Sequence, residues 1–264
     1  EGGVPFSSNE LEQHLNTKSL MRTQRFLIDH TGSASAYNPL DMKIIRQTTA
    51  FTSNHTPIWF QGSGHPVIFV HGLLMDHRMW TPQVAALSKI CQTCCIDLLG
   101  HGQAPDLPGE RSIDDFIEQI HEVVEVVGKE TPPILVGFSM GAMLAQIYAM
   151  ASHNRLCGLV LMNAVYNRTP TEIERVKERF RRNQQLGVES AKESALRRWF
   201  REEDWRDHHE PIEAISGWIQ EGNFAAKRKA QRVFITTQPE LVGNLATINC
   251  PTLVMTGERD SGST

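Results

Sequence analysis

The decapeptide Ile134–Met143, ILVGFSMGAM, sets a serine between two glycines, after an apolar run and ahead of a run of small residues. A serine hydroxyl is a weak nucleophile until a base takes its proton during attack. Attack on a carbonyl also leaves negative charge on oxygen, which needs hydrogen-bond donors already in place. A buried strand ending at Phe138 and a helix starting just after it would force a tight reversal at Ser139 and lift its side chain above the sheet. Gly137 and Gly141 supply the small neighbours such a reversal demands. Ser139 is therefore the candidate nucleophile. The Met140 N–H, at the helix start, is one candidate oxyanion donor. The Leu73 N–H is the other: it follows His71-Gly72 at the end of an earlier strand, where glycine lets the backbone turn close to the serine.

Two aspartates stand at strand ends as candidate acids. Asp97 opens the segment DLLGHG and is expected to fix that loop. Asp260 lies in GERDSG, after PTLVMTG, and could reach across the carboxyl edge of a sheet to orient an imidazole. Glu258 competes with it but directly follows Gly257. All eleven histidines precede Asp260 in the chain. His71 is expected to form structural hydrogen bonds beside the oxyanion loop, and His208 and His209 to lie on the surface of a charged segment, without the fixed geometry a general base requires.

The elements that must position these groups are legible as a rhythm. VIFV (67–70), CCIDLLG (94–100), ILVGF (134–138) and GLVLMNA (158–164) read as strands with continuous apolar character. Between them, helices are expected near Thr81-Pro82, over 113–128 and after Met140. The second starts at Ser112 with Asp115 three residues on, an imperfect capping box. Continuous apolar strands alternating with helices call for a mostly parallel sheet covered on both faces. TPIWFQGS and MKIIRQTT supply two earlier strands. From Asn167 to about 235 only charged amphipathic helix segments occur, including TEIERVKERF, SALRRWF and EAISGWI, before PTLVMTG restores a strand. The expected organisation is a surface extension over 1–41, core over 42–166, a helical cap over 167–235 and an incomplete second core part over 236–264. Trp199 and Trp218 in the cap, with Leu74, are candidate pocket residues. Arg197, Arg198 and Arg201 could recognise a substrate carboxylate, though a solvated helix face accounts for them more simply.

The 26 basic and 30 acidic side chains of the 264 residues give a formal charge of −4, which asks for no nucleic acid. No run of apolar residues is long enough to span a membrane. The five scattered cysteines are read as ordinary thiols, the Cys91-x-x-Cys94-Cys95 spacing included, and fit a reducing, cytoplasmic setting. Gly62-Ser63-Gly64 lacks the lysine and spacing of a phosphate loop. No metal or cofactor is expected, the partner is a small molecule, and assembly into a homo-oligomer is left open.

Together these residues resemble the α/β-hydrolase superfamily over roughly 42–264. The His71-Gly72 loop, the DLLGHG segment, the Gly137–Gly141 elbow and the GERD segment ending at Asp260 stand in the family's order. Texture in SALRRWF and TGERDSGST is similar to capped 3-oxoadipate enol-lactonase-like hydrolases and carboxylesterases. The resemblance implies an α/β-hydrolase fold with an eight-stranded sheet, and a serine hydrolase acting on a carboxylic ester or lactone. It also implies a nucleophile, acid and histidine in that chain order. The chain departs from the pattern because Thr264 comes four residues after Asp260 with no histidine between. The expectation is that the histidine base, a helix and a last strand lie beyond Thr264. Two alternatives remain: another chain supplies them, or the protein is a non-catalytic binding or receptor protein on the same fold.

Overall fold

The computed structural model describes residues 50–152, 154–237, 245–258 and 260. The expected surface extension and the strand at MKIIRQTT lie outside those residues, save for its continuation at Ala50. Among the described residues a seven-stranded sheet has the order β1-β2-β4-β3-β5-β6-β7. Its strands are β1 (Ala50–Phe51), β2 (Pro57–Gln61), β3 (Pro66–Val70), β4 (Gln92–Ile96), β5 (Ile134–Phe138), β6 (Gly158–Met162) and β7 (Thr252–Met255). The pairings β1–β2 and β2–β4 are antiparallel, and the other four are parallel.

Every residue of β3, β5 and β6 is buried, which is why these strands read as unbroken apolar runs. Side chains alternate between the two faces. Ile68, Val70, Leu135 and Leu159 meet Phe116, Ile120 and Tyr148 on one face. Phe69, Val136 and Val160 meet Trp80 and Val84 on the other. The covering helices are α1 (Thr81–Leu87), α2 (Ile113–Val127) and α3 (Met140–Ala151). The box at the start of α2 is complete although its third residue is aspartate: the Asp115 N–H donates to Ser112 Oγ at 3.3 Å and the Ser112 N–H to Asp115 Oδ2 at 2.7 Å. The thiols of Cys94 and Cys95 are buried on β4, and desolvation pushes both pKa values up, so neither is poised as a thiolate.

Among the described residues between β6 and β7 stand four α-helices: α4 (Pro170–Trp199), α5 (Glu202–Asp207), α6 (His209–Gln220) and α7 (Phe224–Thr236). The segments TEIERVKERF and SALRRWF belong to one element, α4, broken at Gly187 with φ 82° and ψ −167°. Only glycine adopts that backbone without strain. Ala195, Leu196, Ile212, Ile215 and Ile219 form a cap core that also encloses Leu74 and Met75 of the loop after β3. The cap is therefore built onto the candidate oxyanion loop. Among the described residues, no helix is long and apolar enough to cross a membrane.

The start of α3 touches the end of β3 at backbone distance. A Cβ on Gly141 would lie 2.6 Å from the His71 carbonyl oxygen and closer still to that of Val70. One on Gly137 would meet the backbone of Gly141 and Ala142 in the same way. Backbone atoms cannot move aside as a flexible side chain can. Gly141→Ala is expected to cost ~1–3 kcal/mol or more by overpacking, read as a lowered urea midpoint at constant m-value.

Candidate active site

The reversal between β5 and α3 holds Ser139 at φ 53° and ψ −112°, a strained conformation for a residue with a side chain. The surroundings fix it there. The Ser139 N–H donates to the Met162 carbonyl at 2.8 Å, and the Met143 N–H to the Ser139 carbonyl at 3.0 Å. The side chain makes no capping hydrogen bond and the residue is half-buried. Its neighbour at the end of β6, Asn163, also has a positive φ of 51°. The Asn163 N–H donates to the Met255 carbonyl at 2.8 Å, and its Nδ2 donates to Asp260 Oδ2 at 2.6 Å. The Asp260 N–H closes a turn onto Gly257 at 2.9 Å. Asp260 is thus tied to the strand beside the one that carries Ser139.

The loop after β3 is held by two buried histidines. In His71, Nδ1 lies 2.8 Å from the Gly72 carbonyl and Nε2 accepts from the Leu98 N–H at 2.8 Å. In His101, Nδ1 lies 3.3 Å from the Leu99 carbonyl and Nε2 accepts from the Leu74 N–H at 3.2 Å. Each ring therefore carries its proton on Nδ1 and is neutral. Burial is the main reason the pKa of each is lowered, His101 far below the ordinary value. Leu74 is kept at φ 68° by this arrangement. The Leu73 N–H, one residue earlier, has no hydrogen-bond partner among the described residues. The Met140 N–H sits at the first position of α3, where a helix leaves its donors without internal partners.

Asp97 works below this loop. It accepts from the His77 N–H at 2.7 Å, His77 Nδ1 at 2.9 Å and the Gln103 N–H at 2.8 Å. Asp76, His77 and Asp97 bring three metal-ligand atoms together. However, Asp76 is already clamped by Arg78 at 2.9 and 2.6 Å, and Asp97 by the donors just named. The cluster serves the loop.

A cavity of about 250 Å³ opens over the elbow and is bordered by Ser139, Asp260, Leu73, Leu74 and Trp199. Met140 is fully buried in the core and can contribute only its backbone N–H. Trp218 does not border the cavity: it packs in the cap core with Arg78 stacked at 5.2 Å, which corrects its expected place in the pocket. Of the three arginines grouped in the sequence, Arg197 pairs with Glu193 at 2.7 Å and Arg201 with Glu203 at 2.7 Å, whereas Arg198 borders the cavity. His208 and His209 lie away from it, and no histidine borders it among the described residues. Sequence reasoning missed His101 and the cavity-facing Arg168, Arg175 and Arg179. His101 was visible only as part of DLLGHG, and the arginines only as part of a mixed-charge helix.

A family model described as the α/β-hydrolase fold matches residues 65–202, over half of the chain, and the chain belongs to that family. Over 222 residues, 84% of this chain and 82% of the relative, it is 28% identical to the (E)-2-((N-methylformamido)methylene)succinate hydrolase of Acinetobacter baylyi. It matches a thermophilic esterase from Thermogutta terrifontis, solved with malate bound, at a TM-score of 0.70 and 28% identity over 82% of this chain and 80% of that one. The enol-lactonase from Burkholderia xenovorans shares the fold at a TM-score of 0.70 and 22% identity, covering 81% and 83% of the two chains. The protein is a hydrolase of the α/β superfamily.

The neutral histidines give stability a defined pH dependence. A histidine whose folded pKa is depressed adds no penalty above its unfolded pKa of about 6.5, and destabilises as pH falls below that value. Unfolding free energy should fall as pH drops from 6.5 toward 5, with a slope approaching ~1.4 kcal/mol per pH unit for His101, whose pKa is lowered farther than that of His71. Urea titrations across that window should show a shallower slope for His101→Gln. An unchanged slope would mean that His101 is not buried neutral.

Proposed function

We propose that this protein is a serine hydrolase that cleaves a carboxylic ester or lactone through an acyl-enzyme on Ser139. The observation that carries the proposal is the strained Ser139 backbone at the floor of a cavity that Asp260 also borders. In this scheme Ser139 Oγ attacks the carbonyl carbon and passes its proton to a histidine. The Leu73 and Met140 N–H groups receive the oxyanion. Asp260, held by Asn163, fixes the tautomer and orientation of that histidine, which the proposal places beyond Thr264. Collapse of the tetrahedral intermediate expels the alcohol with the proton returned by the histidine. Water then attacks the acyl-enzyme with the same base. Leu74 and Trp199 border the acyl site. The scheme uses no metal or cofactor.

The relatives support this class and add a hint of substrate. One is named for hydrolysis of a substituted succinate and another is an esterase solved with malate, so dianionic acids enter the range of candidates.

The test is covalent labelling of the full-length protein by a fluorophosphonate, with the labelled peptide read by mass spectrometry. Ser139 should carry the label, Ser139→Ala should carry none, and Asp260→Asn should lower kcat by roughly 10³–10⁴-fold. Labelling that persists in Ser139→Ala sinks the nucleophile assignment. Ligand binding without label or turnover would favour a binding protein on the hydrolase fold.

A further inference from the structure

The break at Gly187 folds the two halves of α4 toward one another, and Arg182 Nη2 reaches across to Ser194 Oγ at 3.3 Å. Arg175 and Arg179, one turn apart, come from the first half, Arg198 from the second, and Arg168 from the segment just before the helix. All four border the cavity above Ser139. Arg175, Arg179 and Arg198 also border a second cavity of about 930 Å³ between the half-helices, whose other walls include the exposed Glu174, Glu178 and Arg181. Cationic groups thus run from the cap surface to the nucleophile.

Among the described residues, the carboxylates that border the cavity beside these arginines are Glu172 and Asp260. Glu172 is committed to the Thr169 N–H and Oγ1, each at 2.7 Å, and Asp260 receives Asn163. Other cap arginines are matched, Arg181 with Glu178 and Arg197 with Glu193. Arg175, Arg179 and Arg198 make no ion pair among the described residues. Arg198 keeps accessible surface because it borders both cavities, yet protein crowds it. Desolvation first, then repulsion from Arg179, draws Arg168 and Arg198 down to about 10, and Arg179 is also lowered. A cluster crowded in this way is costly until an anion joins it.

A second observation points to a ligand in the same cavity. Asn183 is 3% exposed, borders the cavity, and its Oδ1 has no hydrogen-bond partner among the described residues. Buried amides are normally satisfied, so this acceptor calls for a donor on the ligand, a hydroxyl or an amide N–H beside its charged group. The guanidinium groups are also pre-oriented. Arg168 lies over Phe234 at 4.4 Å and Arg198 over Trp199 at 5.7 Å, and the face contact of Arg198 leaves its N–H edges to bind.

We propose that Arg179 and Arg198, flanked by Arg168 and Arg175, bind a carboxylate carried by the substrate, away from the carbonyl that Ser139 attacks. The inference rests on the serine hydrolase reading and narrows it to anionic esters or lactones. The planar fork of arginine matches a carboxylate with two parallel hydrogen bonds. The small cavity over Ser139 places that anion and the scissile carbonyl within one short acid.

The test uses the full-length protein and succinate as probe, with succinamide as its uncharged counterpart, in titration calorimetry. Succinate should bind, and succinamide should bind at least about tenfold more weakly. Arg179→Gln and Arg198→Gln should each weaken succinate binding by about tenfold or more. Arg197→Gln, exposed and paired elsewhere, should leave it unchanged. Equal affinity for the two probes, or full succinate affinity in the Arg179→Gln/Arg198→Gln double variant, overturns the proposal. In the same preparations, kcat/KM for a monoester of succinate should exceed that for its methyl-capped diester, and the ratio should fall toward unity in the double variant. Fluorophosphonate labelling of the unaltered protein keeps the two failures apart. Labelled Ser139 with no charge preference removes the carboxylate site alone, whereas succinate binding without label removes the hydrolase reading alone.

Discussion

The backbone contact between Gly141 and the carbonyl oxygens of Val70 and His71 is the constraint from which the site follows. It brings the first turn of α3 against the end of β3, so the elbow and the loop after β3 share one edge of the sheet. A helix drawn that close cannot leave β5 gradually, and the reversal is taken up in one residue, Ser139, at positive φ. Strain at such a position persists only where neighbours over-determine it. Here the Met162 carbonyl of β6 receives the Ser139 N–H, while Gly137 admits the first turn of the helix. The cost of the conformation is met by the sheet and α3, and not by the site itself.

The same edge depends on keeping charge out of its supports. His71 and His101 act as neutral connectors, each accepting one backbone N–H and positioned to donate to a carbonyl from its other nitrogen. Their network ties β3, the loop after β4 and Leu74 together, and it consumes the amide at Leu74 while leaving the one at Leu73 without a partner among the described residues. A protonated His101 would lose an acceptor and introduce a buried cation where Lys227 and His71 already oppose it. Asp97 repeats the logic with the opposite sign: three donors converge on it, so a buried carboxylate holds the loop without seeking a metal.

Which features were legible in the sequence follows from how local their causes are. The strands at 67–70, 134–138 and 158–162 could be read because burial on both faces writes a continuous apolar run. The elbow could be read because Gly137 and Gly141 are required by atoms a few residues away and by one neighbouring strand. The start of α2 was legible in Ser112 and Asp115 for the same reason. The cap was not. Whether Arg198 or Arg197 faces the cavity depends on the break at Gly187 and on which side of α4 meets the core, and the mixed charge of that helix marks neither face. Trp218 is an apolar anchor whose stacking partner, Arg78, comes from the loop after β3. The single glycine in a charged segment was the one signal available for the fold of α4, and its meaning required a structure.

Asp260 lies where the neutral edge meets the charged cap. It is fastened to the core through Asn163 and Gly257, yet it is also the carboxylate whose charge raises the pKa of Arg198 against the effects of burial, Arg179 and Arg168. The positive charge of Arg198 opposes an imidazolium forming beside Asp260, because a like charge nearby disfavours the charged form. In the scheme proposed above, a substrate carboxylate entering among the arginines takes over the neutralising role. The opposing positive potential of the arginines then falls as the substrate arrives, which favours the histidine at the step where it becomes cationic. Substrate charge would act in this way on the nucleophile's base as well as on binding, through Arg198 and Asp260, with no movement of the backbone required.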